Sequence, residues 1–144
     1  MTPTEFLSQI KARNAKIMPP ARQNQIILLN AALQQRRYAI LPRTLLDLYN
    51  IVGAINLGNG YIFGPDEVER NQNYPIPSIL QVNDDLSSLG KTVGLTIFGR
   101  NDLFWFAFDA FGTFYMLDNL TLTPLRRYDD PYKCIFDCLI AGKF

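Results

Sequence analysis

The stretch "DLFWFAFDAFGTFYMLD", residues 102–118, limits the available folds more than any other part of the chain. It places seven aromatic side chains between Asp102 and Asp118. At its centre Asp109-Ala110-Phe111-Gly112 has Asp where a type I turn begins and Gly where a left-handed residue is needed, which predicts a tight hairpin with a bulge. Gly112 at the bulge sets the register at Phe108 opposite Phe114. Strand alternation then puts Phe104, Phe106, Phe108, Phe114 and Met116 on one face. Leu103, Trp105, Ala107, Tyr115 and Leu117 fall on the other. An antiparallel hairpin usually leaves one face wet, yet both of these are apolar. Either helices cover both faces, or one face is a contact surface. The first face reads as core. On the second, Trp105 and Tyr115 are the residue types that serve interfaces as well as cores.

The rest of the chain supplies helices to cover such a sheet. Thr2, Pro3 and Glu5 form a capping-box start, followed by an apolar stripe of Phe6, Leu7 and Ile10. A second helix opens after "MPPARQNQ" and repeats Ile26, Ile27, Leu29, Ala32 and Leu33 at helical spacing up to Arg36-Arg37. A third begins at Pro42, buries Leu45, Leu48, Tyr49 and Val52, and stops at Gly53. The period then changes. A strand is predicted at Tyr61–Phe63, a short acidic helical piece at "PDEVERN", and extended or irregular chain through the two prolines of "NYPIPSILQVNDDLSS". "TVGLTIFG" reads as a strand, and "LTLTPL" as one more short strand. A closing helix starts with Asp130 before Pro131 and ends at Gly142. Helices, then strands, then a helix predict an α+β fold. A twisted antiparallel sheet packs against N-terminal helices and a C-terminal helix. One domain spans 1–144, with 1–40 as its N-terminal helical part.

Composition removes most chemistry. The chain has no histidine, so Ser–His and Cys–His pairs, an imidazole base and His metal ligands are all excluded. Its two cysteines, Cys134 and Cys138, sit one helical turn apart among apolar neighbours and read as reduced structural thiols. No spaced carboxylate loop suggests a metal site. Gly58, Gly60 and Gly64 in "LGNGYIFG" follow a helix and precede a strand, the reverse of a dinucleotide fingerprint. The expectation is a non-enzyme with no cofactor and no metal. No apolar run approaches the roughly 18 residues of a membrane helix, and no secretory signal is readable at the N-terminus, which predicts a cytoplasmic chain with no membrane partner.

The formal net charge of +1 conceals a division. Residues 1–43 carry seven Lys/Arg against Glu5, a net of +6, and residues 44–144 carry a net of −5. The basic group includes Lys16, Arg22, Arg36 and Arg37. The aromatics that would stack on bases lie in the acidic part, so no nucleic-acid partner is expected. Asp66, Glu67, Glu69, Asp84 and Asp85 sit near turns, where they would rim a sheet. Together with Trp105 and Tyr115 they form the candidate partner-binding set: acidic rim charges speed encounter with a basic protein, and a buried aromatic supplies affinity.

The order of motifs from Leu41 onward resembles the SUKH superfamily, which contains the Smi/Knr fungal regulators of glucan synthesis and many small bacterial proteins. The shared marks are "ILPRTLLDLYNIVGA" with Leu41-Pro42 opening a helix, then Asn59-Gly60 before a strand. The acidic "PDEVE" follows, and then "GLTIFGRNDLFWFAFDAFGTFYML" with its Asp109/Gly112 hairpin and a closing amphipathic helix. An additional "AINLG" precedes Asn59. The resemblance implies an α+β fold without shared catalytic residues. It also implies an immunity-type role, binding and neutralising a cognate toxin domain. The alternative it implies is regulation of cell-wall glucan synthesis.

Overall fold

The computed structural model describes residues 1–69, 75–90, 92 and 94–140, with Glu69 described by its backbone alone. Helix α1 (Pro3–Lys11) starts as its sequence demands: the Thr2 hydroxyl accepts from the Glu5 N–H, and the Glu5 carboxylate returns the bond to the Thr2 N–H. Strand β1 (Lys16–Ile17), helix α2 (Gln23–Gln35) and helix α3 (Arg43–Tyr49) follow. Then come β2 (Ile55–Leu57), β3 (Gly60–Ile62), β4 (Val68–Glu69), β5 (Pro75–Ile76) and helix α4 (Ile79–Ser87). The chain continues through β6 (Leu95–Arg100), β7 (Phe104–Asp109), β8 (Phe114–Asp118), β9 (Pro124–Tyr128) and helix α5 (Pro131–Ile140). Among the described residues, seven strands form one open antiparallel sheet in the order β1-β2-β3-β6-β7-β8-β9, and β4 pairs with β5 separately. The fold is α+β, with the sheet against N-terminal and C-terminal helices. The first 40 residues are not purely helical, because Lys16 and Ile17 pair with Asn56 and Ile55 and add an edge strand.

The aromatic hairpin has the expected register, with Phe108 opposite Phe114 and Ala107 opposite Tyr115. Gly112 takes φ +78°, and its N–H donates to the Asp109 carbonyl at 3.1 Å. The Asp109 carboxylate also accepts from the Phe111 and Thr113 N–H groups at 2.9 and 3.0 Å, so one side chain organises the whole turn.

The face carrying Phe106, Phe108 and Phe114 is core. A bulge in β6 between Ile97 and Gly99 sets Gly99 opposite Phe106, and Phe98 packs edge-on to Phe114 on this face. Helix α5 lies over the same face. Glycine makes that approach feasible: a Cβ on Gly60 would sit 2.6 Å from the Cys138 carbonyl oxygen, and one on Gly99 3.0 Å from Cys138 Sγ. Phe6 of α1 packs against Tyr132 and Phe136, tying the N-terminus to α5. On the opposite face Ile97 and Ala107 are fully buried, while Trp105 and Tyr115 stay partly exposed.

Three local expectations fail. Residues 79–87 are helical, although Pro75 and Pro77 suggested irregular chain; both prolines precede the helix, and Ser78 and Gln81 close a capping box behind them. Residues 66–69 are no helix, and Arg70 and Asn71 of the same expected piece lie outside the described residues. Val68 pairs with Ile76, so the acidic residues around it lie on turn and strand. The strand read in "LTLTPL" starts only at Pro124. Asp118 accepts from the Leu120 and Thr121 N–H groups at 2.9 and 2.7 Å, winding the residues before Pro124 into a turn. In α2, Ile26, Leu29 and Leu33 are buried as expected, but Ile27 is 59% exposed. Gly142, expected to stop the last helix, lies outside the described residues.

Two substitutions test this architecture. Gly112→Val should destabilise by about 1–2 kcal/mol or more, from the left-handed backbone a side chain resists; a thermal melt unchanged from wild type would refute it. Asn83→Ala should cost more. The buried Asn83 amide both donates to the Ile97 carbonyl and accepts from the Ile97 N–H, each at 2.8 Å. Losing it strands two buried backbone groups at about 1–3 kcal/mol each, measurable by urea denaturation.

Candidate functional site

Where β3 ends at Ile62, β6 runs on beside α4 instead of another strand. Asn83 joins α4 to β6, and the helix thereby becomes one wall of a cleft on the less covered face. The cleft has a volume of about 520 Å³. Its floor is the cross-strand row Tyr61, Arg100 and Trp105, which the pairings of β3, β6 and β7 set side by side. Val82, Asp85 and Leu86 come from α4, Pro75 and Pro77 from the chain leading into it, and Asn59 and Asp102 from two neighbouring turns. The Arg100 guanidinium lies 4.7 Å from the centre of the Trp105 ring, a cation–π contact. Asn59 Nδ2 donates to the Asp102 carboxylate.

The expected site residues are divided by the fold. Asp85 and Trp105 meet in the cleft. Asp84, one position earlier, points elsewhere: Arg36 Nε donates to both its oxygens at 2.9 and 3.1 Å, and the Tyr38 hydroxyl donates at 3.0 Å. Its charge ties α2 to α4 and is matched within the chain. Asp66 and Glu67 are exposed on the turn before β4. The Glu69 side chain lies outside the description. Tyr115 stands away from the cleft, its hydroxyl donating to Asp109 Oδ2 at 2.8 Å. Sequence reasoning missed Tyr61, Arg100, Asn59 and Asp102 as lining residues. Asp102 and Arg100 flank the aromatic hairpin, and that proximity was the available signal.

Two further groups show what the interior can do chemically. Cys134 and Cys138 are fully buried. Burial pushes both thiols far above their usual range, so they stay protonated and are poor nucleophiles. Cys138 Sγ instead donates weakly to the Tyr61 and Arg100 carbonyls at 3.4 Å. Asp109 behaves differently. Partial burial pushes its carboxyl up, but bonds from Thr113, Tyr115 and Phe111 with the nearby Arg127 charge outweigh that and hold it below the usual carboxylate range. Among the described residues, no three His, Cys, Asp or Glu side chains gather into a group fit for a metal ion. Among the described residues, no helix is long and apolar enough to cross a membrane.

No protein-family model matches this sequence, and no curated protein matches it.

Both groups give solution tests. The folded protein should react slowly with a thiol reagent such as dithionitrobenzoate, and both thiols should react at once in denaturant. Rapid reaction of the native protein would contradict the burial. For Asp109 the sign is fixed by its lowered folded pKa. Its stabilisation is present above the unfolded value of about 4 and is lost as pH falls through the folded one. Asp109→Asn should therefore be less stable than wild type at neutral pH by about 1 kcal/mol or more. The gap should shrink in urea melts near pH 3.

Proposed function

We propose that this chain is a non-catalytic protein-binding module of the immunity type, a cytoplasmic protein that binds and neutralises a toxin domain. The observation that carries this reading is the open cleft beside Trp105, an aromatic site bordered by Asp85 and Asp102. Interfaces draw affinity from a few buried aromatic anchors, and charged rims chiefly set encounter rates. A toxin that cuts nucleic acid needs a basic surface to hold phosphates, and an acidic rim is its complement. Asp66 and Glu67, exposed beyond the cleft, add charge of the same sign. The SUKH-like order of motifs, from Leu41-Pro42 to the Asp109/Gly112 hairpin, supports the same role. The interior thiols and the absence of histidine give no competing catalytic reading.

The test is to look for a toxin domain encoded beside this gene and to co-express and co-purify the two. A complex and restored growth are expected. Asp66→Lys, Glu67→Lys and Asp85→Lys together should slow association by about tenfold at low salt and less at high salt. Asp84 is left intact because its reversal would break the Arg36 and Tyr38 contacts. Trp105→Ala should speed dissociation by about tenfold or more. Failure to bind or to protect against the neighbouring toxin, with the fold intact, would refute the proposal.

A further inference from the structure

The lining of the cleft carries a finer statement about its occupant, one that rests on the protein-binding reading above. Asp85 and Asp102 line it, and among the described residues neither makes an ion pair with a Lys or Arg; the side-chain partner seen for Asp102 is the neutral Asn59 amide. Some other carboxylates are matched within the fold: Asp84 by Arg36, Asp47 by Arg43, and Asp137 by Arg126 and Lys133. The two in the cleft stand beside aromatic surface, where a cation gains from both charge and ring. The chain itself shows this preference, because the Arg100 guanidinium rests on the Trp105 ring. The volume of about 520 Å³ falls within the usual range for a site that encloses a small group.

We infer that the cleft takes one arginine side chain of the protein partner, its guanidinium held against Trp105 and between Asp85 and Asp102. Arg100 then acts as an internal competitor for the ring, exposed and able to swing away as the partner's side chain enters. The charge pattern selects against the other guests a cleft of this size would admit. A carboxylate or phosphate would need Arg100 and be repelled by both aspartates. A neutral guest would be indifferent to all three.

The chain contains a single tryptophan, so its indole N–H gives one nuclear magnetic resonance signal from the cleft itself. The probe is Nα-acetyl-arginine amide, with Nα-acetyl-glutamine amide as the neutral control. A saturable shift of the indole signal is expected with the arginine probe alone, at a Kd on the order of millimolar. The double variant Asp85→Asn/Asp102→Asn should weaken binding at least about tenfold, while Asp129→Asn, an exposed carboxylate elsewhere, should leave it unchanged. Arg100→Ala should tighten binding, a direction that an anion site or general damage to the cleft would reverse. Absence of a saturable shift, equal response to the glutamine probe, or weaker binding in Arg100→Ala would overturn the inference. A positive titration alongside failure to bind the neighbouring toxin would instead remove the neutralising role and leave this assignment standing.

Discussion

The premature end of β3 is the constraint on which the rest of the structure depends. β6 continues past it, and the Ile97 N–H and carbonyl would be buried without partners. The Asn83 amide supplies both bonds and also donates to the Ile79 carbonyl one helical turn back, at 2.8 Å. A side-chain amide has the donor and acceptor of a peptide group, so it stands in for one residue of the missing strand. The cost of leaving such groups unpaired is what fixes α4 against the sheet. Because α4 is fixed, Val82, Asp85 and Leu86 are held as a wall facing Trp105. The cleft is a consequence of backbone accounting before it is a binding feature.

The other face is closed by a different means. Helix α5 is drawn to the sheet by its own apolar side, and the glycines at positions 60 and 99 let it come close enough for Cys138 to touch strand carbonyls. The contact leaves no space for larger side chains at those two strand positions. At the far edge Asp137 collects the Tyr128 hydroxyl at 2.7 Å and Arg126 at 3.1 Å, which secures β9 to the same helix. With one face covered by α5 and α1, the opposite face is where the sheet keeps Trp105 and Tyr115 accessible.

Local chemistry was legible in the sequence, and long-range placement was not. The Asp109–Gly112 turn, its register and the first capping box follow from residues within a few positions of one another, and each forms as expected. The capping box at Ser78 and Gln81 was equally local, but the two prolines before it masked the signal. The acidic piece after Pro65 pairs as a strand because Val68 finds Ile76, a partner across a connection that no periodicity announces. The same limit governs the site. Asp84 and Asp85 are neighbours in sequence, yet a helix turns about 100° per residue, so one faces Arg36 and the other the cleft. Only packing decides which is which. Tyr61 and Arg100 reach Trp105 through strand pairing across 39 and 5 positions, and no short motif spans them.

The division of charge along the chain takes on a physical meaning once these contacts are known. Part of the basic excess of the first 43 residues is absorbed where Arg36 meets Asp84, so the two halves attract each other through the α2–α4 junction. Asp85 and Asp102 beside the cleft, and Asp66 and Glu67 on the exposed turn, are among the acidic residues without a Lys or Arg partner among the described residues. Screened at a distance by salt, such charges act mainly on the approach of a partner. Holding power must come from the floor, where Trp105 is already positioned by its strand and Arg100 already shows the contact a guest would make. A site built on paired strands loses little freedom when it binds, and that prior ordering is what converts a small cleft into useful affinity.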